Sequence, residues 1–538
     1  MIKGAHALKF GGSAEQIHGT VTNPEANPRG QFDFDGTLTS NQGSGGAPFA
    51  SFLLGYPNTI SRGFVNTKPD VITYVVGLYA QDDYRITNRL TLNLGVRWDF
   101  FTSPKEHHNR QTNFNLTDGL MHVASSDNTG PDLSNFNSFA PRVGMAYSPD
   151  GGKTAVRSAF GISYFTDNYG GNGGSLERNF PLFETFTFQK QQNFVPFAKV
   201  STTGLPAFVP VNFTSTIVPA AGITPIVIPK DFRPDEAIMW NFGVQRQLTS
   251  SDALDLSYVG THGLHIFRDR LINAPLSPGP GAVDPRRPLY SVAPQIQTVR
   301  LRASDGNSTY NSLQAKYTKR YAMGLSATAS YTWAHSLDNM NVLWPYDDTL
   351  NRGASNSKTN DVRHILAISY SYQLPVGRGR HWLGGGSPVA QAVFGGWSVN
   401  GITTARTGFP LVIAVNNSLL NTGTGNRANI NCPEVGLPKL VNQWFDTSCF
   451  SAPAQYVFGN SGKGHVRGPG VLNFDLSAFK SFHFGEKRAL EFRSEFFNAF
   501  NNPHFNNPAV TFGNSDFGRI TSTILTPREI QLGLKLTY

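Results

Sequence analysis

The clearest pattern in the chain is an alternation of apolar and polar residues with a period of two. Between residues 90 and 100, leucine, valine, tryptophan and phenylalanine occupy every second position, with polar residues or glycine between them. Between residues 530 and 538, aliphatic residues and the terminal tyrosine alternate in the same way. Because successive side chains of a β-strand point to opposite faces, these segments are predicted to be strands with one apolar and one polar face.

The same pattern predicts about fifteen strands along the chain. We place them near residues 5–12, 29–36, 70–85, 89–101, 138–148, 153–165, 235–248, 252–262, 308–320, 324–336, 361–374, 395–407, 471–483, 487–499 and 528–538.

The connections between these predicted strands alternate between short and long. The short ones lie at 87–88, 148–152, 249–251, 321–323 and 483–486, with 375–394 as a longer member. The long ones, rich in Gly, Pro, Asn and Ser, lie at 37–69, 102–137, 166–234, 263–307, 337–360, 408–470 and 500–527. Short turns at one end and long loops at the other are typical of a transmembrane antiparallel β-barrel of the outer membrane, whereas a soluble sandwich has no reason to keep this order.

Aromatic residues near the strand ends favour the same all-β barrel. If Tyr538 lies at the periplasmic end, six rings fall toward the outer ends of their strands: Trp98, Phe100, Tyr164, Tyr258, Tyr331 and Trp333. Tyr84 and Tyr372 fall toward the inner ends, which gives the two aromatic girdles expected at the membrane interfaces. Asp82 is an exception, because it falls on the apolar face and is tolerated only near an interface.

Composition excludes several other classes of protein. Charged residues make up 15% of the 538 residues, against roughly 25% in a soluble domain. The 54 glycines and 34 prolines argue against long helices. No apolar run approaches the roughly 18 residues of a membrane helix. The net charge of +9 is spread along the chain without basic clusters, so no nucleic-acid partner is expected.

Several segments together resemble the barrel half of TonB-dependent outer-membrane receptors, most closely the Oar-like branch. The likeness runs from about residue 70 to the end and is carried by the order of segments 79–84, 244–248, 258–263, 310–314, 467–470, 475–480 and 497–501. The resemblance implies an outer-membrane protein whose complete form imports a large or scarce solute with energy supplied through TonB. Complete members look like a carboxypeptidase-regulatory-like domain, a plug and a barrel. Tyr538 resembles the C-terminal signal that barrel-assembly machinery recognises.

The N-terminal part departs from this family pattern. Residues 1–6 contain no apolar signal-peptide core, and no energy-coupling box or plug-like segment precedes the first strand. Fifteen strands is an odd number that places Met1 on the outer side, whereas bacterial barrels have even numbers and plugged transporters roughly 22. We therefore expect residues 1–538 to be the C-terminal part of a barrel domain, with TonB reached only through a plug region absent from this chain.

The polar face of the predicted strands supplies candidate lumen residues. If the apolar face contacts outer-membrane lipid, the residues that point inward include Arg97, Asp99, Arg157, Arg363, Glu491, Arg493 and Glu495. They form either a surface that faces a plug or a solvated polar face without a specific partner.

The two cysteines, Cys432 and Cys449, lie in a segment rich in Pro and Asn. If oxidised, they close a loop with a stabilisation of about 3 kcal/mol, which suits an exported protein. The alternative is a pair of thiols without a structural role.

No set of residues predicts a metal site, a cofactor or a catalytic centre. His262 and His265 are spaced i, i+3, which places them on opposite faces of a strand. Residues 106–108, 33–36 and 347–348 lack further ligands, and segment 459–464 has the wrong spacing for a phosphate loop. The chain is therefore not expected to be an enzyme.

Loops 166–234 and 408–470 are the candidate contacts for an unknown solute. They are dominated by Asn, Thr, Phe, Pro and Gly, and aromatic and amide groups suit a glycan or a peptide. Besides the receptor, two alternatives stay open on the sequence alone. One is a structural or adhesive surface barrel, and the other is a secreted β-rich enzyme that acts on polysaccharide.

Overall fold

Most of the chain is folded into one large antiparallel sheet, which we call the wall. The computed structural model describes residues 1–20, 27–41, 45–65, 69–124, 135–165, 176, 179–189, 196, 198–203, 205, 212–340, 345–355, 361–416, 418–484 and 488–538. The main sheet has 18 strands, four of which are two-residue segments, so fourteen form the wall. They are β1 (His6–Thr20), β2 (Asp70–Arg85), β3 (Leu90–Phe101), β4 (Asn135–Tyr147), β5 (Thr154–Phe165), β6 (Asp235–Gln247), β7 (Asp252–Ile272), β8 (Val299–Ala322), β9 (Leu325–Asp338), β10 (His364–Gln373), β11 (Trp397–Arg406), β12 (Val471–Phe484), β13 (Arg488–Phe497) and β14 (Glu529–Thr537).

Each wall strand pairs with the next one along the chain, from β1 to β14. In the middle of the wall, Val143 of β4 lies opposite Leu94 of β3 and Phe160 of β5. Within the described residues, no ladder joins β1 to β14. The predicted all-β, antiparallel meander is therefore confirmed, and its two ends are edges.

The predicted strand at 29–36 is wrong as a wall strand. Only Gln31–Asp33 is extended there, and it pairs with Thr59–Val65 in a separate sheet that also contains Phe183–Gln189. The wall consequently has an even number of strands, and β1 begins at the same end as the C-terminus of β14. The expected position of Met1 on the outer side is corrected as well, because the chain enters the wall at the end with the short turns.

The alternation of short and long connections is confirmed. The short connections join β2 to β3, β4 to β5, β6 to β7 and β8 to β9, and the longer one between β10 and β11 carries a helix at Pro388–Phe394. The serine before this helix caps it, since Ser387 Oγ accepts a hydrogen bond from Ala390 N. On the opposite side, β7 and β8 are longer than predicted and project beyond their neighbours.

The two faces of the wall differ in polarity. The face that carries Leu94, Val143 and Phe160 is apolar, and these side chains are exposed by 42%, 50% and 44%. Its other exposed apolar residues include Leu256, Leu313, Trp333, Leu472, Leu532 and Leu534. The opposite face carries arginine, aspartate, serine, threonine and asparagine. Asp82 shares the apolar face near the end of β2, where it contacts His6 Nδ1 at 2.7 Å.

Most of the buried hydrophobic residues lie in the long loops, and the others, such as Phe101, Ala140 and Val299, belong to wall strands. One cluster, loop core A, is formed by Phe114, Met121, Phe180, Ile217, Val227, Ala293, Ile296 and Val299. A second, loop core B, is formed by Leu411, Ile413, Ala428, Val435, Phe445, Cys449, Phe450 and Val466. Within the described part of the chain, no helix is long and apolar enough to cross a membrane.

Short elements organise the loops around these cores. The helices are Pro48–Leu54, Val200–Thr203 and Asp348–Asn351, with 3-10 turns at Thr37–Thr39, Asp284–Arg286 and Thr447–Cys449. The short strands are Lys105–Glu106, Thr112–Phe114, Met121–Val123, Thr216–Ile217, Ile226–Val227, Gly353–Ala354, Pro410–Leu411, Ala414–Val415, Asn429–Ile430, Phe450–Ser451, Val466–Arg467 and Thr511–Phe512. Pairs among them bring together segments that are far apart in the chain.

Candidate functional site

A cavity of about 1080 Å³ lies between loop core A and loop core B. One side is the projecting end of β7, residues 267–272, together with residues 297–298 that precede β8. The other side is formed by Val412, Ala414 and residues 422–427, and the lining is completed by Ala274, Arg287, Met340, Pro345, Tyr346 and Asp348. We call this space the loop cavity.

The first side exists because β7 changes direction at a bulge. The register between β7 and β8 shifts between Gly263 and Ile266 and again before Arg268. Bulges bend and twist a strand, so the outer half of β7 leaves the line of the wall. Gly306 permits the close approach here, since a Cβ atom at that position would lie 2.6 Å from the Ile266 carbonyl oxygen.

The second side is an extended segment with alternating side chains. Leu411 and Ile413 belong to loop core B, whereas Val412 and Ala414 between them line the cavity. Pro410–Leu411 pairs with Val466–Arg467, and Ala414–Val415 pairs with Thr511–Phe512. Loop core B therefore holds this side of the cavity in place.

The Arg-Gly-Pro-Gly segment at 467–470 lies where the loop after β11 returns to the wall. The Arg467 guanidinium binds the Asp361 carboxylate and donates to the Gly408 carbonyl oxygen at 3.2 Å. Gly408 and Gly468 pass so closely that a Cβ atom on Gly408 would overlap the Gly468 carbonyl. The motif thus serves a close crossing of two backbone segments at the base of the loop.

The two sides of the cavity are tied together by hydrogen bonds between loops. Asn421 Nδ2 donates to the carbonyl oxygens of Gly279 and Gly281, at 2.9 and 2.7 Å. The guanidinium of Arg286 donates to the carbonyl oxygen of Asn421. These bonds join the loop after β7 to the loop after β11 across one end of the cavity.

Four arginines and two aspartates line the loop cavity: Arg268, Arg270, Arg287, Arg427, Asp269 and Asp348. Arg268 forms a two-pronged ion pair with Asp348, at 3.1 and 2.6 Å. Arg427 donates to the Leu350 and Ser461 carbonyls and to Asn351 Oδ1. Burial lowers the pKa of the Arg427 guanidinium from its ordinary value, and Asp347 partly offsets this effect. The lining carries more positive than negative charge.

A buried ion pair stands beside this group. Lys463 Nζ lies 2.9 Å from Asp338 Oδ1 at the end of β9, and both side chains are buried. Burial lowers the pKa of Lys463, while the hydrogen bond to Asp338 acts in the opposite direction. The phosphate-loop likeness of 459–464, which the sequence already disfavoured, is therefore accounted for by a lysine that ties the loop to the wall.

The predicted lumen residues lie in several places on the polar face. Arg97 contacts Asp99 at 2.7 Å, and Arg493 contacts Glu491 at 2.5 Å. Glu495 lines a groove of about 420 Å³ that crosses the polar face from β9 to β13. Arg157 is exposed. Their role toward a plug stays a prediction.

Arg363 differs from the other predicted lumen residues. It lies just before β10, and its Nη2 atom is 3.1 Å from His335 Nε2 at the outer end of β9. His335 in turn contacts Asp361, the partner of Arg467. The structure thus places Arg363 in a polar cluster at the outer rim of the wall.

Cys432 and Cys449 are joined by a disulfide in the structure, with the two sulfurs 2.18 Å apart. Cys449 is buried in loop core B, and Cys432 packs against that core. The bond closes the segment that carries Phe445, whose ring meets those of Phe450 and Phe517 edge to face.

The weak metal candidates are not brought together. His262 contacts Thr309, whereas His265 lies 3.8 Å from Glu236. Glu106 is buried and binds Arg110, while His107 and His108 are exposed. Among the described residues, no group of three or more His, Cys, Asp or Glu side chains is arranged to hold a metal ion. Asp347 caps the helix at Asp348–Asn351 through Thr349 N.

The sequence predicts substrate contacts in loops 166–234 and 408–470, and among the described residues of these two loops only those of the second line the loop cavity. Large parts of 166–234 lie outside the described residues. The arginines of β7 were missed, because residues 263–307 were assigned to a loop. Their signal is the charged sequence Arg268-Asp269-Arg270, in which Asp269 lies opposite Arg302 in the ladder, a pattern unlike the rest of the wall.

Comparison with protein families gives a match over nearly the whole chain, since a model described as an outer membrane beta barrel domain matches residues 1–531. A comparison with curated protein sequences finds no match. Among solved structures, the outer membrane transporter YddB from Escherichia coli is 10% identical, with a TM-score of 0.51, and the match covers 100% of this chain and 52% of YddB.

Two further structures give lower scores. The ferripyoverdine receptor of the Pseudomonas aeruginosa outer membrane is 12% identical, with a TM-score of 0.43 and coverage of 88% of this chain and 39% of the receptor. The siderophore receptor PiuA from Acinetobacter baumannii is 10% identical, with a TM-score of 0.45 and coverage of 100% and 54%. The chain thus spans about half the length of these proteins or less. The Oar-like branch stays a prediction.

Proposed function

Because the chain belongs to the family of outer membrane beta barrel domains, we propose that it is the barrel portion of an outer-membrane receptor that imports a large or scarce solute. The description of the family supports the outer-membrane location of the proposal. Import is proposed for a complete receptor, and this chain spans only about half the length of the transporter YddB.

The observation that carries the proposal is the opposite polarity of the two wall faces. Large apolar side chains on the outward face are exposed on β3 to β9, β12 and β14, although water disfavours such a surface. Lipid removes that cost, and a polar inward face suits a wet or plugged lumen. The loop cavity at the end with the long loops offers a place where a solute first binds.

Fractionation tests the membrane part of this proposal. The chain, expressed with an export signal in a Gram-negative host, is expected in the outer membrane and requires detergent for extraction. In gel electrophoresis, the unheated sample should migrate differently from the boiled one, as a folded barrel does. Recovery in the soluble fraction without detergent would contradict the proposal.

The terminal residue provides a test of the partner that assembles the barrel. Tyr538 is 94% exposed, so its replacement disturbs little folded structure. We expect Tyr538→Ser to reduce insertion into the outer membrane several-fold, because we propose that barrel-assembly machinery recognises this aromatic ring. Thr537→Ser is the matched control and should insert normally. Equal insertion of both variants would argue against the assembly signal.

A plug region outside this chain is part of the proposed receptor, because TonB would act through it. Arg97, Asp99, Glu491 and Arg493 would face that region. A chain that is inserted in the membrane and adheres to surfaces, without a plug encoded in the same gene, would favour the adhesive barrel instead. The reading frame upstream of Met1 decides between the two.

A further inference from the structure

We propose that the loop cavity binds an anionic solute through carboxylate or phosphate groups, with Arg270 and Arg287 as the contacting cations. This inference rests on the proposed import function and adds the chemical class of the ligand.

The charge of the lining supports an anion. Four arginines against two aspartates leave a positive excess in a space that is partly enclosed by protein. Guanidinium groups present several N–H donors in one plane and match the oxygen atoms of carboxylate and phosphate groups. A neutral solute would gain only hydrogen bonds from this arrangement, whereas an anion also gains the attraction between opposite charges.

Arg268 shows that the cavity already accommodates a carboxylate. Its side chain is 1% exposed, whereas that of its partner Asp348 is 55% exposed. The Arg268 Nε atom is buried and makes no hydrogen bond. Asp305 lies 3.6 Å from this Nε atom on the side away from the lining, so Asp348 is the carboxylate that the guanidinium binds within the cavity. An anion that replaces this exposed carboxylate would gain the same attraction without further burial of the arginine.

Arg270 and Arg287 are held in position by acceptors that include two aspartates outside the lining. Arg270 binds Asp305, and its Nε atom is buried without a hydrogen bond. Arg287 binds Asp284 at 2.8 Å and the carbonyl oxygen of Gln297 at 2.7 Å. Neither Asp284 nor Asp305 lines the cavity. Such anchoring preorganises both cations and lowers the cost of ordering them when a ligand binds.

Neutral groups complete a site of small-molecule size. The volume of about 1080 Å³ is close to the upper end of the roughly 300–1,000 Å³ usual for small-molecule sites. Gly423 lies where a Cβ atom would be 3.4 Å from Arg287 Nη2, and Thr422 and Thr424 supply hydroxyl groups beside it. Tyr346, packed on Phe458 with ring centroids 4.7 Å apart, adds an aromatic surface.

The test is equilibrium binding to the detergent-purified full chain at low and high salt. Citrate is the carboxylate probe, pyrophosphate the phosphate probe and glucose the neutral probe. We expect one or both anions to bind, glucose not to bind, and the anion affinity to fall as salt rises, because salt screens the attraction. The anion that binds more tightly identifies the class of acid group.

Three variants sharpen this test. Arg270→Gln with Arg287→Gln should weaken anion binding at least tenfold. The matched control Arg300→Gln removes an arginine that pairs with Asp269 at 3.6 Å but does not line the cavity, and it should change affinity less than twofold. Asp348→Asn should strengthen anion binding and increase the thermal stabilisation that the anion gives, because it removes the resident competitor of Arg268.

Three results would overturn the inference. The first is equal binding of glucose and the anions, and the second is a folded chain that binds neither anion. The third is an anion affinity that is the same in the double variant as in Arg300→Gln. A chain recovered from the outer membrane that gives any of these results would leave the proposed receptor function standing, so the two failures are distinguishable.

Discussion

The wall and the long loops use apolar residues in opposite ways. In the wall, Phe242 and Trp333 are exposed by 51% and 53%, whereas in the loops Phe445 and Met121 are fully buried. The exposed apolar surface of the wall suits contact with lipid. Each loop cluster instead buries its apolar residues away from water, as a water-soluble domain does. The same chain thus combines a sheet whose apolar side chains are exposed with buried hydrophobic clusters at one end, among them loop cores A and B.

The difference explains how a cavity is held at the end of a barrel. Strand pairing holds residues 267–272 at the outer end of β7, but no ladder joins them to the described residues of segment 412–427. Loop cores A and B each anchor one side, and the hydrogen bonds of Asn421 join them. The wall therefore anchors the ends of the loops, and the loop cores fix the positions of the segments that line the loop cavity.

The largest effect is expected when a buried aromatic ring is removed from loop core B. Phe445→Ala should destabilise the loop after β11 by about 3–5 kcal/mol, because it removes a fully buried ring. Hydrogen exchange should rise in segment 411–466 and stay unchanged in β3 to β6. The control Phe242→Ala, on the exposed wall face, should cost much less. Equal effects on both regions would mean that the loops and the wall are not separate units.

A charge on the outward face tests the wall. Phe160→Arg, in the middle of β5, should cost about 2–4 kcal/mol and reduce the amount of assembled barrel. Its neighbour Ala159 lies on the polar face opposite Asn241, so Ala159→Arg should be tolerated. Denaturant unfolding in lipid vesicles measures both. A penalty that is the same at the two positions would argue against lipid on one face only.

Removal of the disulfide tests how much the bond between Cys432 and Cys449 stabilises loop core B. Replacing Cys432 and Cys449 together by serine should destabilise loop core B by about 3 kcal/mol, because the bond restricts the unfolded segment between them. Protease sensitivity should rise between residues 411 and 466, while heat-modifiable migration of the wall persists. Free thiols in the oxidised, exported chain would show that the bond does not form.

Glu106 provides a smaller, pH-dependent test outside the wall. Burial raises the pKa of its carboxyl, but hydrogen bonds from Arg110 and from the backbone N–H groups of Asp70 and His108 outweigh it and lower the pKa below 4.5. The resulting stabilisation is present above about pH 4.5 and is lost as pH falls through the lowered value. Proteolysis of segment 102–124 should therefore increase in acid.

The matched variant Glu106→Gln removes the charge from these hydrogen bonds. It should destabilise the segment by about 1.5–3 kcal/mol at neutral pH, since hydrogen bonds to charged groups contribute that much. Its own proteolysis should vary little with pH between 3 and 6. A wild-type segment with no acid sensitivity would contradict the assignment to Glu106.

The sequence predicts the wall well because lipid imposes a period of two on each strand. The alternation in β3 and β14 is visible residue by residue, and the parity of the connections follows from it. The same signal misleads at 29–36, where Phe32 and Phe34 alternate with polar residues in a small loop sheet. Period two reports a strand with two unlike faces and carries no information on which sheet it joins.

The loop cavity was not predictable in the same way. Residues 267–272 continue β7, but their charges break the apolar alternation that marks a membrane strand, so the sequence indicates a loop there. Loop cores A and B assemble from segments that are far apart in the chain and lack periodicity. Which segments pack together in these cores depends on contacts between distant residues, and a single sequence does not show such contacts.

The most direct test of the account is the environment of successive residues on β5. Single nitroxide labels at positions 156 to 163, in a chain without cysteines and reconstituted in vesicles, would be compared for access to oxygen and to a polar nickel chelate. We predict oxygen access at the even positions and chelate access at the odd positions, in strict alternation. Even positions shielded from both reagents would place the apolar face inside protein and contradict the lipid-facing wall.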